Sequence, residues 1–339
     1  MKQITEVSEV NQPFNLAIGK LSRDDMASCS TLPAISGLSP WASPNNVLRR
    51  ATDAVEGKPR EEYSVGEAAD WGNRLENIIL GEAAQRLGLS IDAHITERVE
   101  HPHLPLQGSL DGVLAGDGRT VTHDPDTGIY VLGGKSIQLI GPGVAEAKLT
   151  GAPPTDDPPV YRGPLQVQGL MMCASYQWGA IATLYRGTEL RIYLVSPDAY
   201  LVAKIESDVR EFERRVELFR TDGVTDWYPA LTPNDAAQTY PTGEEDLPPI
   251  RLSGSANNAA IDLMTAKDAL KTVQKKIDQA TVVVMDALGI HSRALVQEDG
   301  QIIAEIGWPM LKPRGEYLVG ARPAGRGKSL RIKRVEGQL

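Results

Sequence analysis

The sequence predicts an α/β fold of the α+β kind, with a central mixed β-sheet flanked by helices and a C-terminal helical extension. Three observations indicate this class. An amphipathic helical pattern precedes a group of short strand-like runs, and a second helix followed by two more strand-like runs comes next. A long heptad pattern then lies near the C-terminus.

The first predicted helix covers residues 65–87. Apolar side chains recur along it at spacings of one, three and four residues, which gives the helix one apolar face. The residues of that face are Leu75, Ile78, Ile79, Ala83 and Leu87. A turn-rich segment containing Gly37-Leu38-Ser39-Pro40-Trp41 precedes this helix.

Short strand-like runs follow, and turns separate them. A loop at residues 151–159 contains four prolines, which exclude regular structure there. The predicted strands lie at residues 104–113, 129–132, 137–140, 144–149, 179–185 and 190–195, with a helix at 163–176. Together, these elements predict a mixed sheet with helices packed on its faces.

The C-terminal part differs in its pattern. A helix at residues 200–219 precedes a proline-rich connection, and a second helix then carries apolar residues at alternating spacings of three and four. Two short strands joined through Asp299-Gly300 predict a β-hairpin, and the tail from Lys312 carries eight Lys/Arg against two Glu. We therefore divide the chain into a core at 1–220, a proline-rich linker at 221–255, and a helical, hairpin and basic region at 256–339.

Composition limits the classes of function. The 339 residues contain no apolar run of about 20 residues, which a membrane span requires, so we expect a cytoplasmic protein without membrane association. Two cysteines cannot supply a disulfide framework, a four-cysteine zinc site or an iron–sulfur cluster. A net charge of −9 opposes bulk coating of nucleic acid, but it allows a local cationic groove.

The chemistry is carried by Asp111, in Gly-Ser-Leu-Asp-Gly, and by the later triplet Glu146-Ala147-Lys148. On a strand, Glu146 and Lys148 point to one face and Ala147 points to the other. If Asp111 lies on the neighbouring strand, the two carboxylates meet, and a divalent cation such as Mg²⁺ would neutralise them. Alone, this pattern is common, because Asp-Gly is usually a turn and such a triplet is usually a solvated strand face.

Further polar residues accompany this trio. Glu76 lies on the predicted first helix and can add a third carboxylate, or it can be an ordinary surface glutamate. Gln166 opens the helix after the proline loop, where polar residues are frequent in any case. Arg23 and Ser30 could hold a terminal phosphate through guanidinium and hydroxyl donors, although a single arginine is more often a surface charge.

The joint order of these motifs resembles the phage lambda exonuclease and YqaJ-type viral recombinase family, within the PD-(D/E)XK nuclease superfamily. The resemblance covers about residues 21–219. It depends on the order of motifs more than on any one of them, and the motifs are Arg23…Ser30, Gly-Leu-Ser-Pro-Trp41, Gly-Asn-Arg-Leu-Glu76, Gly-Ser-Leu-Asp111-Gly, Glu146-Ala-Lys148 and Tyr161…Gln166-Val-Gln168.

The resemblance implies a restriction-endonuclease-like core and two Mg²⁺ or Mn²⁺ ions in each active site. Asp111, Glu146 and the carbonyl of Ala147 would hold the ions, and Glu76 would support the second ion. Lys148 would position the attacking water, and Gln166 would support the site. The residues that would recognise the 5′ phosphate are Arg23, Ser30 and Ser109.

By the same resemblance, the activity is 5′ to 3′ digestion of one strand of linear double-stranded DNA, which releases 5′ mononucleotides during phage-type recombination. The expected partners are DNA ends, a single-strand annealing protein, and further copies of the chain in a trimeric or tetrameric ring. The expected location is the cytosol of a bacterial host.

Two departures and two alternatives limit this interpretation. Residues 117–142 form a longer insertion than compact members have, and residues beyond about 221 have no counterpart that we can place. An endonuclease of the same superfamily would use the same trio. A non-catalytic protein that binds DNA ends is the alternative from another class, and the presence of Asp111, Glu146 and Lys148 argues against it.

Overall fold

The structure is a computed structural model, and it describes residues 22–59, 66–92, 98–241, 248–311, 325–326 and 331–334. The chain forms two compact units, residues 1–243 and residues 244–339, which we describe separately. Within the described ranges, no helix combines the length and the apolar character that crossing a membrane requires.

The first half of the N-terminal unit alternates helices with short strands. A short 3₁₀ helix, Cys29–Thr31, connects the first strand to the first helix. The elements are β1 (Ala27–Ser28), α1 (Leu32–Ile35), α2 (Pro44–Val55), α3 (Gly66–Leu87), β2 (Ser90–Asp92), β3 (Arg98–Glu100), β4 (Leu106–Ser109), β5 (Gly112–Thr122), β6 (Ile129–Val131) and β7 (Ser136–Thr150).

The second half completes the sheet and adds helices. The elements are α4 (Pro164–Ala174), β8 (Gly179–Tyr185), β9 (Glu189–Val195), α5 (Ala199–Asp222) and α6 (Pro233–Thr239). Asp198 caps α5 by accepting hydrogen bonds from the backbone of Tyr200 and Leu201, and Gly223 ends the helix in the left-handed conformation.

Six strands form the central sheet in the order β2-β5-β7-β8-β9-β6. The β2–β5, β5–β7 and β8–β9 pairs are antiparallel, whereas the β7–β8 and β6–β9 pairs are parallel. The predicted mixed sheet flanked by helices is therefore confirmed.

Each face of the sheet carries its own hydrophobic core because side chains alternate along β7. Val144 joins a core with α1, α2, α4 and α5, whereas Ala145 joins a second core with α3. Phe212 is fully buried in the first core, and Trp178 is fully buried in the second. The alternation places Glu146 on the α4 side of the sheet.

The run predicted as one strand at 104–113 is divided, so that prediction is wrong. β4 ends at Ser109 in a separate three-stranded sheet, β1-β4-β3, and β5 begins at Gly112 in the central sheet. Leu110 is buried at the junction, and Asp111 bonds to the neighbouring strand β7. The chain therefore passes from the small sheet to the central sheet at Leu110 and Asp111.

The extended ends of β5 and β7 make up half of the insertion at 117–142. These ends pair as far as Thr122 and Ser136, with an irregularity after Asp117. Between them, β6 crosses to the far edge of the sheet and pairs with β9. The insertion is therefore part of the sheet.

The segment expected as a linker at 221–255 contains structure that packs on the N-terminal unit. Asp235, which is buried, accepts hydrogen bonds from the hydroxyl of Ser43 at 2.5 Å and from the backbone of Leu231 at 2.9 Å. The side chain of Asn45 bonds to both backbone groups of Tyr228. These buried polar contacts attach residues 228–235 to the start of α2.

The C-terminal unit contains α7 (Gly254–Leu288) and the strands β10 (Arg293–Glu298), β11 (Gln301–Gly307), β12 (Met310–Leu311), β13 (Gly325–Arg326) and β14 (Arg331–Arg334). The predicted hairpin is confirmed, because β10 and β11 pair through Asp299 and Gly300, both of which have positive φ. Apart from β13 and β14, the basic tail lies outside the described residues.

Candidate active site

Asp111 lies one residue before β5, beside the part of β7 that carries Glu146. In the antiparallel β5–β7 pair, Gly112 is opposite Ala145, so the next position brings Asp111 to Glu146. The Asp111 carboxylate accepts a hydrogen bond from the backbone N–H of Ala147, with 3.0 Å between Oδ2 and N. This bond fixes the carboxylate at the junction of the two sheets.

Glu146, Lys148 and Gln166 form a hydrogen-bonded triangle. The Lys148 ammonium lies 2.6 Å from Glu146 Oε1 and 2.9 Å from Gln166 Oε1. The Gln166 amide nitrogen also donates to Glu146 Oε1, at 2.7 Å. Gln166 comes from the first turn of α4, so the helix positions both β7 side chains from above the sheet.

Glu146 is buried, with 2% of its surface exposed, and its second oxygen, Oε2, has no hydrogen-bond partner among the described residues. Burial and the nearby charge of Asp111 raise the pKa of Glu146 to about 7, although Lys148 opposes this shift. Burial alone would lower the pKa of Lys148, but the charge and hydrogen bond of Glu146 outweigh it, and the pKa is raised. Lys148 therefore remains an ammonium.

Glu76 lies on α3, and its charge contributes to raising the pKa of both Glu146 and Lys148. It is therefore within electrostatic range of the triangle, together with Asp111. Glu146, Lys148 and Gln166 contact one another directly, and Asp111 is bonded to the backbone of Ala147, between Glu146 and Lys148. Glu76 is a third acidic group nearby.

The residues fit a divalent cation with oxygen ligands. A buried carboxylate oxygen without a donor is a costly arrangement, and a hard cation would satisfy it. Asp111 and Glu76 can supply further oxygens. Among the described residues, no three His, Cys, Asp or Glu side chains are arranged closely enough to hold a metal without rearrangement. The backbone carbonyl of Ala147 remains a predicted ligand.

The three predicted phosphate-binding residues lie on or beside the small sheet β1-β4-β3. Gln107, buried in β4, fixes the backbone of Arg23 through two hydrogen bonds. The Arg23 guanidinium pairs with Asp25 at 2.7 Å, and the Ser30 hydroxyl lies 3.1 Å from that of Ser28. Ser109 ends β4, two residues before Asp111. Contact of these residues with a phosphate remains a prediction.

Two features near the site were not found by sequence reasoning. Buried Cys29 and Cys173 bring their sulfur atoms to 3.9 Å, although 144 positions separate them in the chain. The thiol pKa of Cys29 is raised mainly by burial, then by Cys173, and the charge of Glu146 adds to the shift. The 3₁₀ helix that contains Cys29 and Ser30 therefore lies close enough to Glu146 for the charge of that carboxylate to affect the Cys29 thiol.

Gln168 provides the second feature. Its amide donates to the carbonyl of Ser196 at 2.7 Å and accepts from the backbone of Asp198 at 3.2 Å. This buried side chain therefore joins α4 to the connection between β9 and α5, which indicates a structural function. The apolar residues on nearly every side of α4 indicate a buried helix, but the distant partners of Gln168 could not be predicted.

The raised pKa of Glu146 gives a prediction for stability in the presence of EDTA. A folded-state pKa of about 7, above the ordinary 4.5, means that the stability contributed by the protonated carboxyl is complete below about pH 4.5. It is lost as the pH rises through 7. Relative to Glu146→Gln, the parent should lose unfolding free energy, on the order of 2 kcal/mol, between pH 5 and pH 8.

Urea denaturation of the parent and of Glu146→Gln at several pH values measures this difference. The comparison cancels every titration that the two proteins share. Parallel dependence of the two unfolding free energies on pH would contradict the assigned environment of Glu146.

Residues 20–152 match the family described as the YqaJ-like viral recombinase domain. This match confirms the resemblance drawn from the motifs. The matched range includes Arg23, Glu76, Asp111, Glu146 and Lys148, whereas Gln166 lies beyond it.

The structure is also similar to solved structures of exonucleases. An alkaline exonuclease from Laribacter hongkongensis has 18% sequence identity and a TM-score of 0.41, over 58% of this chain and 91% of that one. The same values apply to that exonuclease in complex with dAMP. A phage-related exonuclease from Haemophilus somnus 129PT has 14% identity and a TM-score of 0.37, over 59% and 96% of the two chains. No curated protein matches the sequence.

Proposed function

We propose that this protein is a metal-dependent deoxyribonuclease that hydrolyses phosphodiester bonds. The observation that carries the proposal is the buried Glu146 carboxylate, whose Oε2 lacks a donor while Asp111 lies across from it and Lys148 shares its face of the sheet. Its occurrence within a YqaJ-like viral recombinase domain supports the assignment.

Each residue of the chain has a definite task in this chemistry. Asp111, Glu146, Glu76 and the carbonyl of Ala147 would hold one or two Mg²⁺ or Mn²⁺ ions, which supply Lewis acidity when bound. Lys148 presents a permanent positive charge beside Glu146, where it can orient a water molecule and offset charge on a phosphate oxygen. Gln166 holds both side chains in place.

The proposed substrate is linear double-stranded DNA, digested from 5′ to 3′ with release of 5′ mononucleotides in phage-type recombination. Arg23, Ser30 and Ser109 carry this finer proposal, because they lie on or beside one small sheet whose strand β4 leads directly into Asp111. To bind a phosphate, Arg23 would exchange the carboxylate of Asp25 for the phosphate group.

A comparison of 5′-phosphorylated with 5′-hydroxyl linear duplex, with and without Mg²⁺, tests this proposal. We expect Mg²⁺-dependent release of mononucleotides and about tenfold faster digestion of the phosphorylated ends, a preference that Arg23→Ala should remove. Arg119→Ala is the matched control, since Arg119 also pairs with an aspartate two residues away. Equal rates on both ends in the parent would exclude the phosphate site, and nicking of closed circles would favour an endonuclease.

We also propose that the protein forms homo-oligomers, trimeric or tetrameric rings by resemblance, and that α7 contributes to the contact. The apolar residues Leu270, Val273 and Ile277 are each at least half exposed and repeat at spacings of three and four. A single-strand annealing protein is the further proposed partner.

Sedimentation analysis tests the oligomer. The parent should sediment as a multimer, and Leu270→Lys combined with Ile277→Lys should reduce its mass. Thr272→Lys, on another face of the same helix, should leave the mass unchanged. A monomeric parent, or an unchanged mass in the double variant, would exclude association through α7.

A further inference from the structure

An exposed aromatic and cationic cluster lies at the start of α4. Trp41 is 70% exposed, although tryptophan usually buries most of its surface. Its ring centroid lies 5.5 Å from that of Tyr161 in an edge-on arrangement. The Arg162 guanidinium carbon lies 5.6 Å from the Trp41 centroid and 5.9 Å from that of Tyr161. We call these three residues the Trp41 cluster.

The segment that carries Trp41 is held by local hydrogen bonds. The Ser39 hydroxyl accepts from the backbone N–H groups of Trp41 at 3.2 Å and Ala42 at 3.3 Å. The helix α2 then begins with a capping box formed by Ser43 and Asn46. The exposed ring therefore extends from a constrained turn, which lowers the entropy lost when a ligand binds.

The Trp41 cluster is connected to the candidate active site through β7. Arg162 donates a hydrogen bond to the hydroxyl of Thr150 at 3.2 Å. Thr150 shares the sheet face of Glu146 and Lys148, because side chains two residues apart point the same way. It lies two residues beyond Lys148, about 7 Å along the strand. That distance corresponds to about two steps of stacked DNA.

A polar cavity adjoins the Trp41 ring. Its volume is about 150 Å³, and its lining includes Trp41, Pro40, Asn46, Asn234 and Gln238. The Asn46 side-chain amide donates to the side-chain oxygen of Gln238 at 2.9 Å. The backbone carbonyl of Gln238 accepts from Arg49 at 2.7 Å. Amide side chains of this kind can pair with the edges of an unstacked base.

We propose that the Trp41 cluster is a nucleobase-stacking site that binds an unpaired nucleotide of a DNA strand close to the cleaved bond. Trp41 supplies the stacking surface, and Arg162 supplies a cation for the phosphate beside that base. The proposal rests on the proposed nuclease function, since it assumes that a DNA strand passes Lys148. The nearby amides allow hydrogen bonds to the base edge.

The favoured ligand is an unpaired stretch of a DNA strand, because the three side chains combine an open π face with a positive charge. Stacking accepts any base, and we therefore expect little dependence on sequence.

The test uses 5′-phosphorylated single-stranded oligonucleotides that contain 2-aminopurine at one position, which is moved stepwise from the 5′ end. Binding is measured with Asp111→Asn protein in EDTA, so that cleavage cannot occur. We expect the 2-aminopurine fluorescence to be quenched strongly at one or two adjacent positions. Adding Trp41→Ala should remove that quenching and weaken binding about tenfold or more.

Matched variants separate stacking from general damage. Trp41→Phe retains an aromatic ring and should keep part of the quenching. Tyr200→Ala removes another exposed aromatic side chain, 75% exposed at the start of α5, and should change neither quenching nor affinity. Arg162→Ala should weaken binding and reduce its dependence on salt, because a phosphate contact is lost.

Every outcome decides the proposal. Equal quenching and affinity with and without Trp41→Ala would overturn it, as would binding without quenching at any position. Separately, parent protein that fails to cleave DNA with Mg²⁺ while position-specific quenching persists would refute the nuclease and leave the stacking site standing.

Discussion

Replacing Glu146 with glutamine is expected to reduce the rate of DNA digestion about a thousandfold. The substitution keeps the size of the side chain and its capacity to bond to Gln166, but it removes the negative charge opposite Asp111. A neutral amide oxygen is a much weaker ligand for a hard cation than a carboxylate is. Initial rates of nucleotide release from linear duplex, measured at saturating Mg²⁺, give the effect.

The fold should survive this change, because the parent carboxylate is buried and its pKa is already raised towards the neutral form. Glu189→Gln is the control, since Glu189 is a charged residue at the start of the nearby strand β9. An active Glu146→Gln protein, with a rate close to that of the parent, would remove Glu146 from the active site.

Replacing Lys148 with alanine is expected to lower the maximal rate about a hundredfold, with little change in the affinity for DNA. The Lys148 ammonium is aligned by Glu146 and Gln166, so it is in place before the substrate arrives. Such a fixed charge acts mainly on the transition state. Single-turnover rates and separate binding measurements distinguish the two quantities.

Lys204→Ala provides a matched control for Lys148→Ala. The Lys204 side chain is 27% exposed and pairs with Asp208 at 2.9 Å, close to the 28% exposure and ion pairing of Lys148. We expect Lys204→Ala to digest DNA at the rate of the parent. A Lys148→Ala effect on affinity alone would show that Lys148 binds DNA without stabilising the transition state.

Much of the site follows from local sequence rules. Period-two alternation predicts that Glu146 and Lys148 share one face of β7, and the pairing of Gly112 with Ala145 brings Asp111 beside Glu146. The helix bearing Glu76 is predicted at 65–87 and observed at Gly66–Leu87. Each of these predictions depends on neighbours along the chain or on one strand pair, which a single sequence can encode.

Other features depend on tertiary contacts that a sequence does not expose. Ile78 fits the apolar stripe of α3, yet it is 66% exposed, because only part of the predicted face meets the sheet. Asp235 looks like an ordinary helix-start residue, yet it is buried against Ser43. The contact between Cys29 and Cys173 and the Trp41 cluster likewise join distant segments.

Digestion of 5′-phosphorylated linear duplex with Mg²⁺ by the parent and by Asp111→Asn tests the central claim most directly. The Asp111 carboxylate is held across from Glu146 by the backbone of Ala147, so removing its charge should disable the site without moving the strands. We predict release of mononucleotides by the parent and almost none by the variant, with DNA binding retained by both. Intact DNA with the parent, or equal digestion by the two proteins, would contradict the assignment of this site.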